Sequence, residues 1–160
     1  MDVSVLHSVT EDLAGYLSEL TTGDLDRPTS GAAGNVGALY RRLMEQNLQV
    51  ASVLTVDASP WVVPSGAERR AAVHAPANAY GGGYENEYRR TASLMEAAFS
   101  SRADSALVPL HQRDYERTVA ELYAAVVGEV VHHASELARA LGLGYQPRSM
   151  VAAYLGDAEE

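Results

Sequence analysis

From about Asp114 to Leu141 a single apolar stripe runs unbroken. Val119, Leu122, Val126, Val130, Leu137 and Leu141 recur at spacings of three and four, one face of a long helix, and Gly142 stops it. A helix of that length cannot bury its stripe alone, so the rest of the chain has to supply helices to pack against it. Two earlier segments match it. Leu6, Val9, Leu13, Tyr16, Leu17 and Leu20 mark a helix over roughly Ser8 to Thr21, with Ser8 and Glu11 spaced as a capping box. Val36, Leu39, Tyr40, Leu43, Val50 and Leu54 mark a second over roughly Asn35 to Leu54. Tyr84, Tyr88, Met95 and Phe99 predict a third over Tyr84 to Ser101, and a short piece follows the long helix from Ser149 to Leu155. No strand alternation and no internal repeat is visible. The expected fold is all-α, a four-helix bundle, with residues 1–160 as a single domain.

Between the second and third helices, from about Asp57 to Gly83, periodicity is lost. Pro60, Pro64, Gly66, Pro76 and the run Gly81-Gly82-Gly83 make this a long loop, read either as a functional lid or as a surface excursion. Trp61, the single tryptophan, sits in it beside Val62 and Val63, which argues against a purely solvated loop.

Composition narrows the function. No stretch approaches the ~18 consecutive apolar residues of a membrane span, and the first residues lack a basic region followed by an apolar run, so no secretory leader and a cytoplasmic location are expected. The 160-residue chain has no cysteine, which excludes disulfides, iron–sulfur clusters, thiolate zinc sites and cysteine nucleophiles. All twelve basic residues are arginine, so no lysine Schiff base and no P-loop can form. Asp+Glu 21 against Lys+Arg 12 gives a net charge of -9, which argues against nucleic acid or an anionic membrane as partner. The expected partner is a small-molecule substrate.

The candidate chemistry lies in Glu129-Val130-Val131-His132-His133-Ala134-Ser135-Glu136. His133 falls inside the stripe between Val130 and Leu137, and Glu129, four residues earlier, stacks on the same face at its edge. A polar pair aimed into a core needs a partner. Three readings stay open: two ligands of a metal site, a general acid/base pair with Glu129 orienting His133, or a hydrogen-bonded pair that only fixes packing. His132 lies with Ala125, Gly128 and Glu136 nearer the flank and reads as solvated or substrate-facing. Gly128 is costly in a helix interior and calls for the close approach of a helix or a ligand. Asn35, Arg42, Gln46 and Gln49 form a polar line beside the second stripe, an exposed face by default.

The stretch Glu129 to Gly142, EVVHHASELARALG, resembles a motif of the DinB-like superfamily. The nearest branch is the N-terminal domain of mycothiol-dependent maleylpyruvate isomerases, where it reads roughly E-x-x-x-H-G-W-D-L-A-R-A-x-G. Asp24-Leu25-Asp26-Arg27-Pro28-Thr29 is similar to the start of the family's second motif, which continues roughly P-T-P-C-x-x-W-x-V-x-D-L-x-x-H-L, with Val36, Leu39 and Leu43 in agreement. The resemblance covers about Ser8 to Leu155. It implies a DinB-like bundle and a zinc or nickel ion held by a second-helix histidine together with the residues at Glu129 and His133. Here that histidine position is Arg42, the family cysteine falls on Gly31, its tryptophan on Gly34, and the second tryptophan on Ser135. Arg42 cannot ligate a metal. A guanidinium could instead pair with Glu129 and leave the pocket without a metal, unless His7, His74 or His111 supplies a third ligand.

Three functions are therefore expected in competition. In the first, a metal-free enzyme performs acid/base chemistry (isomerisation, cyclisation or elimination) on a specialised metabolite. His133 is acid or base, Glu129 its orienter, Arg42 the anion stabiliser, and Tyr40, Gln46, Trp61 and His132 contact substrate. The second keeps zinc or nickel and, as the resemblance implies, uses mycothiol in isomerisation or transfer. In the third, a non-catalytic binding or stress-response protein, the cluster is a polar plug. The resemblance also implies pairing as a homodimer. The arginine-only, alanine-rich composition is associated with high-GC actinobacterial genomes.

Overall fold

The structure is a computed structural model and describes residues 2–55, 83–109 and 116–157. The described residues are all-α apart from one short ribbon. The helices are α1 (Ser4–Ser18), α2 (Val36–Thr55), α3 (Tyr84–Ser100), α4 (Val119–Ala140) and α5 (Ser149–Asp157), with a 3-10 turn at Thr22–Asp24. Strands β1 (Leu107–Pro109) and β2 (Glu116–Thr118) pair antiparallel ahead of α4, with Leu107 opposite Thr118. Trp61, His74, His111 and nearly all of the 57–83 loop lie outside the described residues.

The predicted α2, α3 and α5 stand within two residues of their expected bounds. Two starts differ. Helix α1 begins four residues early, because the Asp2 carboxylate accepts the Ser4 amide at 2.9 Å and so caps the first turn. Ser8 is therefore buried mid-helix, and no capping box forms with Glu11. Helix α4 begins later than Asp114, because the chain ahead of it is a strand. Thr118 is its N-cap: the Glu121 amide donates to Thr118 Oγ1 at 3.2 Å, and the Thr118 amide donates back to Glu121 Oε2 at 2.8 Å. The helix ends as expected at Gly142, at φ +75°, where the Leu143 amide reaches back to the Ala138 carbonyl at 2.8 Å.

The stripes meet in one core. Leu6, Val9, Leu13 and Leu17 of α1, Leu39 and Met44 of α2, Tyr88, Met95 and Phe99 of α3, and Tyr123, Val127 and Leu137 of α4 are essentially inaccessible. Tyr123 ties the N-terminus down: its ring packs edge-on against Phe99 at 5.2 Å, and its hydroxyl accepts the Leu6 amide at 3.0 Å and donates to the Asp2 carbonyl at 2.7 Å. Helix α3 packs on both α2 and α1, and α1 packs on α4, whereas α2 and α4 touch far less. Into that looser seam α4 places two buried polar residues, His133 and Glu136. No helix among the described residues is long and apolar enough to cross a membrane.

Candidate functional site

The seam between α2 and α4 opens into a cleft of about 420 Å³, lined by Gly31, Ala32, Arg42, Ala125, Gly128, Glu129, His132, His133 and Glu136. Its floor belongs to α4, and its third wall is a loop that the sequence alone gave no reason to place there. Pro28 and Asn35 form an antiparallel bridge, and the Thr29 amide donates to the Gly34 carbonyl at 3.1 Å, so residues 28–35 fold as a small hairpin. Asn35 then caps α2, its Oδ1 accepting the Ala38 amide at 2.8 Å. Gly34 sits at φ +86°, a backbone that a tryptophan would adopt only with strain. The hairpin tip docks on α4: the Gly31 amide donates to Glu136 Oε1 at 2.8 Å, and Arg139 donates to Ser30 Oγ at 3.3 Å. Any side chain at position 31 would collide, since its Cβ would lie 2.3 Å from Glu136 Oε1. The glycines that stand where the resemblance has cysteine and tryptophan thus have a local cause.

Glu136 and His133 are both buried, at 5% and 6% exposure. The second oxygen of Glu136 lies 3.5 Å from His133 Nδ1. That is longer than a hydrogen bond, and Nδ1 is buried with no hydrogen-bond partner. Burial pushes the His133 pKa below the ordinary histidine value. Glu136 acts to raise it, and the positive charge of Arg42 acts with burial to lower it. Burial therefore favours the neutral imidazole.

Two expectations need correction. Arg42 does not pair with Glu129: it is exposed at the cleft wall, and no ion pair among the described residues joins the two. Gln46, one turn further along α2, donates to Glu129 Oε2 instead. Glu129 is exposed at the rim and is not the residue that faces His133 Nδ1; Glu136 is. Glu136 does not belong with the solvated flank of His132. Its spacing of seven from Glu129 and three from His133 puts it on the same helix face, and that signal could have found it.

His132 is exposed beside His133, with ring centroids 5.6 Å apart. Tyr40 does not line the cleft: it is buried on the α3 side, its hydroxyl donating to the Tyr84 carbonyl at 3.1 Å and its ring edge-on to Tyr84 at 5.2 Å. Gly128 lines the cleft, and a Cβ there would meet nothing within 4 Å, so open volume rather than a neighbouring helix is what it faces. The ligand set that the resemblance implies does not fit a metal here. Its three positions offer an imidazole, a carboxylate held by Gln46 and a guanidinium.

A larger groove of about 980 Å³ runs beside the second half of α1. Its charges other than the exposed Glu19 are matched: Arg148 with Asp12 at 2.7 Å, Arg27 with Asp24 at 2.8 Å, and Glu11 with Arg89 at 3.0 Å. The smaller cleft holds the buried pair His133 and Glu136. Compared with known proteins, the chain matches no family model, no curated protein and no solved structure.

Proposed function

We propose that this chain is a small-molecule enzyme on a DinB-like four-helix bundle, and that its reaction is proton transfer in the cleft between α2 and α4. The order and pairing of α1 to α4 support the bundle. One observation carries the chemistry: a buried imidazole whose Nδ1 has no partner lines an open cleft, beside a carboxylate held in place from the loop side. A buried polar atom left unpaired costs about 1–3 kcal/mol, so such an arrangement is expected where a reaction uses the atom. His133 is the acid or base. Glu136, rather than Glu129, stabilises its protonated form, and Arg42 at the wall offers a guanidinium to an anionic group of the substrate. Isomerisation, cyclisation and elimination all begin with the proton abstraction this set can perform.

The test needs no knowledge of the natural substrate. A panel of small enolisable keto acids is incubated with chelator-treated protein in heavy water, and carbon-bound deuterium is followed by proton NMR. Wild type accelerates incorporation for at least one member, and His133→Ala, shown folded by circular dichroism, loses about 100-fold or more of that rate. Equal rates for wild type and His133→Ala sink the reading.

A further inference from the structure

We propose that the floor of this cleft is also a divalent transition-metal site, formed by His133, Glu136 and His132. This set is not the one the family resemblance implies: it exchanges Glu129 for Glu136 and draws every ligand from α4. Among the described residues these three form a cluster whose ligand atoms all lie within 4.8 Å of one another.

Geometry favours an ion over a hydrogen bond between the two buried members. Zinc holds imidazole nitrogen and carboxylate oxygen at about 2.0–2.2 Å, and at a tetrahedral angle two such ligands stand roughly 3.4 Å apart. His133 Nδ1 and Glu136 Oε2 are 3.5 Å apart, too long for a good hydrogen bond and right for two ligands of one ion. Nδ1 is buried without a partner, as a nitrogen awaiting a ligand would be. The carboxylate is anchored from behind: the Gly31 amide takes Oε1 and leaves Oε2 to face His133. Supports of this kind fix the orientation of metal ligands. His132, exposed and adjacent, offers the third ligand atom within 4.8 Å of the other two.

The donor set selects the ion class. Two imidazoles and one carboxylate suit zinc, cobalt, nickel or iron(II), and not calcium or magnesium, which prefer oxygen alone. Three protein ligands leave a position open toward the cleft. The link to catalysis rests on the proton-transfer reading above: an ion held by these residues would supply Lewis acidity in the same cleft. Metal binding itself is measurable without any substrate, so the two ideas fail separately.

The experiment is titration of chelator-stripped protein with zinc by calorimetry and with cobalt by visible absorption, the thermal midpoint of each sample being recorded with and without ion. Wild type is expected to bind one ion per chain with micromolar affinity or tighter, to rise in thermal midpoint, and to give cobalt the ligand-field bands of a low-coordinate nitrogen–oxygen site. His132→Ala and Glu136→Gln each lose about tenfold or more in affinity, while Glu129→Gln stays within twofold of wild type. Loss on Glu129→Gln with none on His132→Ala overturns the assignment in favour of the other ligand set. No stoichiometric binding by folded wild type overturns the site altogether. Any variant that fails to fold without ion is replaced by His132→Gln or Glu136→Asp, which keep polarity and change the ligand geometry.

Discussion

At the seam between α1 and α3, Glu96 uses both carboxylate oxygens. Oε1 accepts from Thr10 Oγ1 at 2.6 Å and Oε2 faces His7 Nδ1 at 3.0 Å, with the His7 side chain 64% exposed. In the α2–α4 cleft another histidine and glutamate meet, but both are buried, they stand 3.5 Å apart, and the imidazole Nδ1 has no partner. The residue types are the same and the outcomes opposite. One pair is a closed contact that joins two helices at the surface. The other is held open in the interior at a cost in stability. The difference between them is burial: one pair is satisfied at the surface, and the other is enclosed with its imidazole Nδ1 unpaired.

The sharpest way to break this comparison is to disturb what holds Glu136. Gly31→Ala drives a methyl group into the carboxylate and forces it off the Gly31 amide, which should cost about 2–3 kcal/mol in urea unfolding, the scale of a lost charge-assisted hydrogen bond to a buried group. The same change should weaken zinc binding. Unaltered stability together with unaltered affinity would mean the hairpin is not braced against Glu136. At the other seam, Glu96→Ala should cost about 1–2 kcal/mol and leave both zinc affinity and deuterium incorporation untouched. An effect on either would erase the distinction between the two pairs.

The third test reverses sign. His133→Leu replaces a buried, unpaired polar group by an apolar one of similar size, so it should raise stability by up to about 1 kcal/mol while abolishing deuterium incorporation. A destabilised His133→Leu would show that the imidazole is a satisfied structural element after all. The smallest effect comes from the N-cap of α4, which belongs to neither pair. The hydrogen bonds from Thr118 hold the Glu121 carboxyl below its ordinary value. A carboxyl depressed on folding stabilises above its unfolded value and loses that contribution as pH falls through its lowered one. Thermal midpoints measured from pH 6 down to about pH 3 should therefore decline slightly less steeply for Glu121→Gln than for wild type.

The helical stripes made most of the fold legible, and the exceptions have local causes. Asp2 caps α1 from a position where no periodicity is visible, and the ribbon of β1 and β2 is only three residues on each side, too short to show alternation. Of the site, His133 was legible because a histidine inside an apolar stripe is conspicuous. Of Glu136 only the register is legible; its anchoring is not, since that contact comes from a hairpin more than a hundred residues away in sequence and is made by a backbone amide and not by a side chain. Arg42 misled for a related reason. Its register along α2 faces the cleft, but Gln46 one turn on reaches Glu129 first.

The clasp between the hairpin and α4 has a dynamic consequence. The Gly31 amide proton is bound to Glu136, and the neighbouring amides of Thr29 and Gly34 are bound within the same hairpin. A local opening that frees the carboxylate has to release the Gly31 amide with it, and that amide then loses its protection without global unfolding. The Gly31 amide thus acts as a built-in gauge of how often the floor of the cleft lets go of its glutamate, readable one residue at a time in a protein whose substrate need not be known.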